Sequence, residues 1–348
     1  MKRAAWLSPF FLAAFCATIA VNISHAQGQW RSQTSASSDT LLNVKAVNAA
    51  VAWAAGSGGC VLRTVDGGIN WRKCGTPLAD FDNVCIEPLD STVAWVVSID
   101  AASGTDFRIF KTDDGSNSWK QVFKTDHTFG DAVRFFDKSH GIALGDPSPA
   151  NYFSVYTTSD GGDSWHRVRR ENIVAADTAQ GEFGVTACMS VFGTDAWFAT
   201  ASQSKDFCPR VFHSTDFGKS WRASDPIKGL NGIAVSLEFT DALHGVVVDN
   251  LGGRWASTTD GGKSWSVHDI GRLLWLRDIR RVPGSSTLMI AGGEADSGYV
   301  FESSSGDTAW HSVPLPPGTK RIRSISFGSP DVGWAVGGIG EILRWTIY

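Results

Sequence analysis

The fold of this chain is decided by an eight-residue segment that first occurs as Thr64–Trp71 (TVDGGINW) and returns five more times. The other copies begin with Ser or Thr, end with Trp and, except for the last, carry Asp in third place: Thr112–Trp119 (TDDGSNSW), Thr158–Trp165 (TSDGGDSW), Ser214–Trp221 (STDFGKSW), Thr258–Trp265 (TTDGGKSW) and Ser303–Trp310 (SSSGDTAW). Their closing tryptophans follow one another at intervals of 48, 46, 56, 44 and 45 residues. A period of this length is typical of a linear or circular array of one supersecondary unit. The repeat therefore predicts the architecture, while it says much less about function.

Short apolar runs accompany the repeat. These runs are rich in small, β-branched and aromatic residues and are bounded by Gly or Asp, which is typical of strands; they are Ala52–Gly56, Ala94–Val97, Gly141–Gly145, Ala196–Ala199, Gly245–Val248 and Gly333–Gly337. Continuous apolar runs indicate strands that are covered on both faces. We therefore predict one four-stranded antiparallel sheet per unit, with units at about 40–78, 79–126, 127–171, 180–226, 230–270, 274–314 and 320–348.

The seventh unit reaches the end of the chain before a fourth strand can form. A substitute is available at the other terminus, because Gln29–Ser32 (QWRS) resembles the segments Trp71–Lys73 and Trp221–Ala223 that close earlier units. Pairing of the two termini would remove an unpaired sheet edge. The sequence thus predicts an all-β fold: a single seven-bladed β-propeller over residues 27–348, closed by the N-terminal strand in the last blade.

The composition agrees with one large domain. Hydrophobic residues make up 43% of the 348 residues, which is enough for a substantial core, and closed β folds often exceed the usual domain length. The formal net charge is −4, without the strong basic patch that nucleic-acid binding usually needs. We expect no nucleic-acid partner and a monomeric protein.

The N-terminus has the pattern of a secretory signal peptide. Two basic residues precede an apolar stretch from about residue 4 to residue 23, and Ser24 and Ala26 supply the small residues of a cleavage site. We predict a signal peptide over residues 1–26, a mature chain that starts at Gln27, and export to the periplasm or the extracellular space. After cleavage no membrane span is expected; a retained membrane anchor is the alternative, since the stretch is long enough to cross a bilayer.

Export would permit disulfides among the cysteines of the mature chain. Cys60 and Cys74 flank the first eight-residue segment, and Cys188 and Cys208 lie in one repeat, so each pair is a candidate bridge. Cys85 is left over and competes for Cys74; a buried thiol is the alternative at every position. No spacing resembles a zinc site, and we expect neither a metal nor a cofactor.

The repeated aspartates invite a catalytic interpretation, yet a structural one fits better. An Asp side chain can accept hydrogen bonds from backbone N–H groups of its own turn, and Gly adopts positive φ at low cost. An active site needs a few unique groups, whereas one carboxylate recurs in unit after unit: Asp66, Asp114, Asp160, Asp216 and Asp260. We predict that these residues hold hairpin turns.

The eight-residue segment resembles the Asp box of bacterial neuraminidase repeats, which occurs in sialidases, in some glucan hydrolases and in non-enzymatic propellers. The wider unit, a Gly-x-Ala/Val-x-Gly run followed by Thr-x-Asp-Gly-Gly-x-x-Trp, is similar to the photosystem II stability/assembly factor family over about residues 40–345. This resemblance implies an exported, non-enzymatic propeller that binds a protein or peptide and assists the assembly or stability of a complex.

Unequal loops indicate where a ligand would bind. Propellers bind ligands on the face formed by the loops that lead into the inner strands and those between second and third strands, and length variation on one side of a repeat marks that face. The longest such loops are Ser98–Phe107, Gly145–Phe153, Arg169–Gly184 and Thr200–Arg210. The candidate residues at this face include Asp131, Asp146, Glu182 and Arg254; Asp146 stands in a Gly-Asp-Pro turn that has a purely loop-shaping alternative.

A basic group is expected in units six and seven. Strand alternation would direct about half of Arg277, Arg280, Arg281, Arg321 and Arg323 into the central channel. Arg favours bidentate contacts with carboxylates, so Arg277, Arg280, Arg321 and Arg323 are candidates for binding an acidic peptide tail or another anion. Pairing with Asp278, Asp331 and Glu341 is the alternative.

A glycoside hydrolase is the competing function. A sialidase-like site would need a tyrosine nucleophile in a suitable place, and none of the four tyrosines supplies one. A glucanase-like site would need two opposed carboxylates, for which Asp131 and Asp146 are the weak catalytic candidates.

Overall fold

The computed structural model describes residues 28–148, 151–204, 206–230, 233–271, 274–303 and 309–347. The predicted signal peptide, residues 1–26, lies outside this part of the chain. The described residues form 28 strands and two short 3-10 helices, Arg170–Asn172 and Thr178–Gln180. Within these ranges no helix has the length and apolar character that crossing a membrane requires.

The strands form seven antiparallel four-stranded sheets, which are the blades of a propeller. Blades 1–6 are continuous in sequence: β2–β5 (Leu41–Ala46, Ala52–Gly56, Val61–Thr64, Arg72–Lys73), β6–β9 (Phe81–Pro88, Ala94–Asp100, Phe107–Thr112, Lys120–Thr125), β10–β13 (Gly130–Phe135, Gly141–Pro147, Phe153–Thr158, His166–Arg167), β14–β17 (Met189–Phe192, Asp195–Ala199, Val211–Ser214, Arg222–Ala223), β18–β21 (Ala234–Phe239, Gly245–Asp249, Arg254–Thr258, Ser266–Asp269) and β22–β25 (Leu276–Arg281, Leu288–Glu294, Ser297–Ser303, His311–Val313). Blade 7 combines β26–β28 (Ile322–Ser329, Val332–Gly337, Ile342–Ile347) with β1 (Gly28–Gln33).

The blades close into a ring. The first strand of each blade contacts the first strand of the next, from β2 through β26, and β26 contacts β2 again. Strand β1 pairs antiparallel with β28, with Trp30 opposite Trp345. The predicted seven-bladed propeller, closed by the N-terminal strand, is confirmed.

The hydrophobic core lies between neighbouring blades. Tryptophans of the second strands are almost fully buried; they are Trp53, Trp95, Trp197 and Trp334. Trp95 stacks on Phe135 of the next blade with ring centroids 3.6 Å apart, and Trp197 stacks on Phe239 at 3.9 Å. Large aromatic faces supply much of the burial energy of such interfaces, which explains why the second strands read as apolar throughout.

The repeated aspartates hold hairpin turns between third and fourth strands, as Asp160 illustrates. Its carboxylate accepts hydrogen bonds from the hydroxyl of Thr158 (2.7 Å) and from the backbone N–H (3.0 Å) and hydroxyl (2.6 Å) of Ser164. The equivalent bonds occur at the other four copies: Asp66, Asp114, Asp216 and Asp260. Hydrogen bonds from Ser118 and Ser264 lower the pKa of Asp114 and Asp260 to about 2. These carboxylates are ionised, and their oxygens accept hydrogen bonds within their own turns.

The two candidate disulfides are not formed, since all five cysteines of the described chain are free thiols. Strand geometry explains the first pair: Cys60 packs in the core shared with Trp334 of blade 7, whereas Cys74 packs against Ile86 of blade 2. The two side chains therefore leave opposite faces of blade 1. Cys188 is buried beside Trp197, while Cys208 is partly exposed in a loop.

Candidate functional site

One end of the central channel opens into a cavity of about 560 Å³, here called the mouth cavity. It lies where the inner strands begin and the second strands end, which is the face predicted from the unequal loops. Its volume falls in the range of small-ligand pockets.

Repeated β-bulges decide which side chains face the mouth cavity. Six of the seven inner strands have a register shift near their start that leaves one residue without a partner on the second strand. A bulge leaves its extra residue unpaired and redirects the side chain. All six extra residues line the cavity: Leu42, Val84, Asp131, Val235, Arg277 and Arg323.

The residues that follow several of these bulges form a polar belt that joins the inner strands. Asp278 is central: its carboxylate accepts hydrogen bonds from the hydroxyls of Ser236 (2.6 Å) and Ser324 (3.0 Å) and from the N–H of Ile325 (2.9 Å), and it pairs with Arg280 at 3.1 Å. Asn43 continues the belt by donating to Ser324. The belt forms the floor of the cavity, and within it the charges of Asp278 and Arg280 are paired with each other.

Unpaired arginines occupy the side of the mouth formed by blades 6 and 7. Arg277 and Arg323 line the cavity. Burial and the nearby charge of Arg321 lower the pKa of Arg277 and of Arg323. The Nε atoms of Arg277 and Arg321 are buried without a hydrogen-bond partner. Within the described ranges none of these three residues, here called the arginine cluster, makes an ion pair.

An acid pair, Asp131 and Asp146, occupies the blade-3 side of the cavity. Asp131 is 1% exposed, and its Oδ2 atom has no hydrogen-bond partner. Burial and the charge of Asp146 raise the pKa of Asp131 well above its ordinary value, and burial raises the pKa of Asp146 to about 6. Because blade 3 lies across a seven-membered ring from blades 6 and 7, acidic groups face basic groups over one cavity.

The loop before β14 bounds the cavity beside the acid pair. The N–H of Gly184 donates to Asp146 Oδ1 at 2.7 Å, and the N–H of Ala187 donates to the carbonyl of Asp131 at 3.0 Å. A Cβ at Gly184 would overlap Asp131 Oδ2 and stand 3.4 Å from Asp146 Oδ1. Only glycine permits this close approach of backbone and carboxylates.

The structure brings five predicted residues to the cavity and leaves three outside its lining. Arg277, Arg280, Arg323, Asp131 and Asp146 line it. Arg321 is not part of the lining, but its charge acts on Arg277 and Arg323. Arg254 lies on β20 and donates to the carbonyl of Gly229 at 2.7 Å. Glu182 is buried, pairs with Arg210 and accepts the N–H of Asp177, so it braces the blade-4 loop.

The sequence did not predict the apolar and neutral residues that line the mouth cavity. Leu42, Val84 and Val235 enter the cavity only through bulges, and Phe129 and Phe183 enter through loops. A bulge has no signature in a single sequence, so no pattern marked these residues. Among the described residues, no group of three or more His, Cys, Asp or Glu side chains could hold a metal ion.

Fold and cavity together define the class: a closed seven-bladed propeller with an arginine-lined pocket at one mouth of its channel. The chain belongs to the family described as photosynthesis system II assembly factor YCF48, which matches residues 111–342. No curated protein matches the chain in sequence.

Solved structures with the same fold include members of that family and an enzyme. A structure of YCF48 bound to a D1 peptide has a TM-score of 0.70 and 17% identity, covering 92% of this chain and 97% of that one. YCF48 from Cyanidioschyzon merolae has a TM-score of 0.69 and 14% identity, with coverages of 91% and 99%. Virginiamycin B lyase from Staphylococcus aureus has a TM-score of 0.66 and 11% identity, with coverages of 92% and 100%. At these identities the likeness concerns the fold alone, and the fold carries more than one function.

Proposed function

We propose that this protein is a non-enzymatic propeller that binds a protein or peptide through a carboxylate held in the mouth cavity, and thereby assists the assembly or stability of a complex. The observation that carries the proposal is the arginine cluster: Arg277 and Arg323 line the cavity, the charge of Arg321 acts on both, and none of the three makes an ion pair within the described residues.

The electrostatics of the arginine cluster favour an anionic ligand. Like charges that are partly buried together repel one another, and an anion between them relieves that repulsion. A guanidinium group offers a planar array of donors that matches a carboxylate. A peptide C-terminus or an acidic side chain fits the cluster, and the apolar lining between Leu42 and Val235 suits neighbouring aliphatic side chains.

The family supports the same conclusion. Membership in the YCF48 family favours an assembly role, and one YCF48 is seen with a D1 peptide bound. We propose the same kind of ligand for this chain, a peptide segment, without assigning it the same partner.

Binding of matched peptides tests the proposal. Short fluorescent peptides from a random library, each made with a free C-terminal carboxylate and as the C-terminal amide, would be titrated with the protein and followed by anisotropy. We expect the acids to bind and the amides to bind at least about tenfold more weakly, a difference of one charge-assisted contact. The double variant Arg277→Gln/Arg323→Gln should abolish this preference. Arg222→Gln, which changes an exposed arginine on the outer strand of blade 4, is the matched control and should bind as the unchanged protein does.

A carbohydrate-active hydrolase remains the competing proposal, because the structure brings Asp131 and Asp146 to one cavity and raises the pKa of Asp146 to about 6, as a general acid requires. Glycosidase carboxyl groups flank the scissile bond from two sides, whereas both members of the acid pair approach the same glycine, Gly184. Screening against sialosides and β-glucans separates the two proposals: turnover that Asp146→Asn abolishes would end the binding-only account.

We further propose that the protein is exported and acts as a monomer in the periplasm or outside the cell. The basic start, the apolar stretch and the cleavage motif before Gln27 support export. N-terminal sequencing of the protein from its host should find Gln27 first, and light scattering should give the mass of one chain; an intact N-terminus or a dimer would contradict these points.

A further inference from the structure

The mouth cavity contains a second set of unsatisfied polar groups that the arginine cluster does not explain. Asp131 is 1% exposed, yet its Oδ2 atom has no hydrogen-bond partner, and no cation pairs with Asp131 or Asp146 among the described residues. Buried carboxyl groups are normally hydrogen-bonded or paired. An orphaned oxygen at a cavity wall therefore indicates a missing donor.

The neighbouring charges do not supply that donor. Arg134, the other buried cation near β10, directs its guanidinium to the carbonyls of Met189 (3.1 Å) and Ala187 (3.1 Å) and to the sulfur of Cys85 (3.0 Å). Arg280 is paired with Asp278. The arginine cluster lies across the ring on blades 6 and 7. Among the residues that the structure describes, the acid pair is thus left without a cationic partner.

The geometry points to a second subsite in which the acid pair binds a basic side chain of the same ligand, so that the peptide taken by this cavity carries a positive charge on the blade-3 side and a carboxylate at the arginine cluster. This inference rests on the proposed function and deepens it, since it specifies an amphoteric peptide.

The surroundings of the acid pair suit a long basic side chain. Phe129 and Phe183 line the cavity next to it, and aromatic rings pack well against the aliphatic stems of Lys and Arg and attract their charged ends. The N–H of Gly184 donates a hydrogen bond to one carboxylate oxygen of Asp146. The other oxygen has no hydrogen-bond partner among the described residues. Two carboxylates at one place cannot both ionise readily without a cation, so a basic group stabilises the charged form of both.

Matched peptides test this inference directly. The probe is a fluorescent series with a constant, otherwise uncharged sequence and a free C-terminal carboxylate, in which Arg or its neutral isostere citrulline is placed at successive positions before the C-terminus. With the unchanged protein, we expect Arg to bind at least about tenfold more tightly than citrulline at one spacing, the one that spans the cavity. Equal affinity of Arg and citrulline at all spacings would overturn the inference.

Variants identify the residues responsible. Asp146→Asn retains the acceptor for the Gly184 N–H. It should bring the ratio of Arg to citrulline affinity to about one, and Asp131→Asn, the second variant, should lower the same ratio. A cooperative unfolding transition shows that each variant is folded. A loss that is equal for both peptides would count against the subsite.

The failure of the inference can be distinguished from failure of the proposed function. If free acids and amides bind alike and Arg277→Gln/Arg323→Gln has no effect, the carboxylate site is wrong, and with it the amphoteric ligand. If the acid preference holds but Arg has no advantage over citrulline, only the second subsite is wrong.

Discussion

At the scale of single residues, the same side chain has opposite properties in two settings. Asp160 and its equivalents accept several hydrogen bonds in exposed turns and are readily ionised. Asp131 and Asp146 are acidic residues as well, but burial raises the pKa of each. The sequence predicted the first set to be turn residues, because they recur in unit after unit, and it named Asp131 and Asp146 as candidates for one paired site. It did not predict that burial would raise the pKa of these two residues.

The raised pKa of Asp146 predicts a pH dependence of stability. The pKa of Asp146 is about 6 in the folded protein and 3.8 in its ordinary state. Below about pH 4 the carboxyl group is protonated in both the folded and the unfolded chain, and the folded protein has its full stability. That stability is lost as the pH rises through about 6, because the buried group must then ionise. A shift of about two units corresponds to roughly 3 kcal/mol. Denaturant unfolding from about pH 4 to 7 should show Asp146→Asn gaining stability relative to the unchanged protein as pH rises. A difference that does not vary with pH would contradict the burial of the ionised group.

The turn aspartates predict stability effects without effects on binding. Asp216→Ala removes the acceptor for Ser214, Ser220 and two backbone N–H groups, and we expect a loss of about 1 kcal/mol after allowing for exposure to solvent. Thermal unfolding measures it, with the exposed neighbour Lys219→Ala as the control. Loss of peptide affinity in folded Asp216→Ala protein would show that the turn has a further role.

At the scale of elements, strands were predictable and their irregularities were not. The apolar runs, the glycines and the period located every blade, because these patterns report burial and turns. Alternation alone could not say whether Arg277 or Arg281 faces the channel, since the bulge before Asp278 shifts the pattern by one residue. The same limit applies to the cysteines: the spacing of Cys60 and Cys74 suits a hairpin, but the two side chains leave opposite faces of the blade.

The polar belt predicts strong coupling between inner strands. Asp278→Ala would leave Arg280 without its ion-pair partner. It would also remove the acceptor of the hydroxyl groups of Ser236 in blade 5 and Ser324 in blade 7. Breaking a buried ion pair in this way costs about 3–5 kcal/mol. Denaturant unfolding should show that loss, whereas Asp331→Ala, an exposed acidic residue of blade 7, should change stability little. Equal effects of the two substitutions would mean that the belt contributes little.

At the scale of the whole molecule, closure of the ring joins the two ends of the described chain. Trp30 of β1 is 4% exposed and packs against Trp345 and Phe327, with ring centroids 5.5 Å and 6.1 Å away. The resemblance of Gln29–Ser32 to earlier closing segments was enough to predict this pairing, because every blade needs the same fourth strand.

Ring closure predicts that a change at the N-terminus destabilises the entire propeller. Trp30→Ala should lower the free energy of unfolding by about 3–5 kcal/mol, as expected for truncating a buried aromatic side chain. Gln29→Ala, which is exposed on the same strand, is the control. An unchanged unfolding midpoint for Trp30→Ala would show that β1 is dispensable.

The mouth cavity is also a property of the whole molecule, since six of its lining residues come from bulges on six different strands. The most direct test of the account is a crystal structure of the protein with the tightest-binding free-acid peptide. We predict that the peptide carboxylate lies within hydrogen-bonding distance of Arg277 and Arg323 inside the cavity. A peptide bound along an outer blade edge, or one whose carboxylate points to solvent, would contradict carboxylate binding by the arginine cluster.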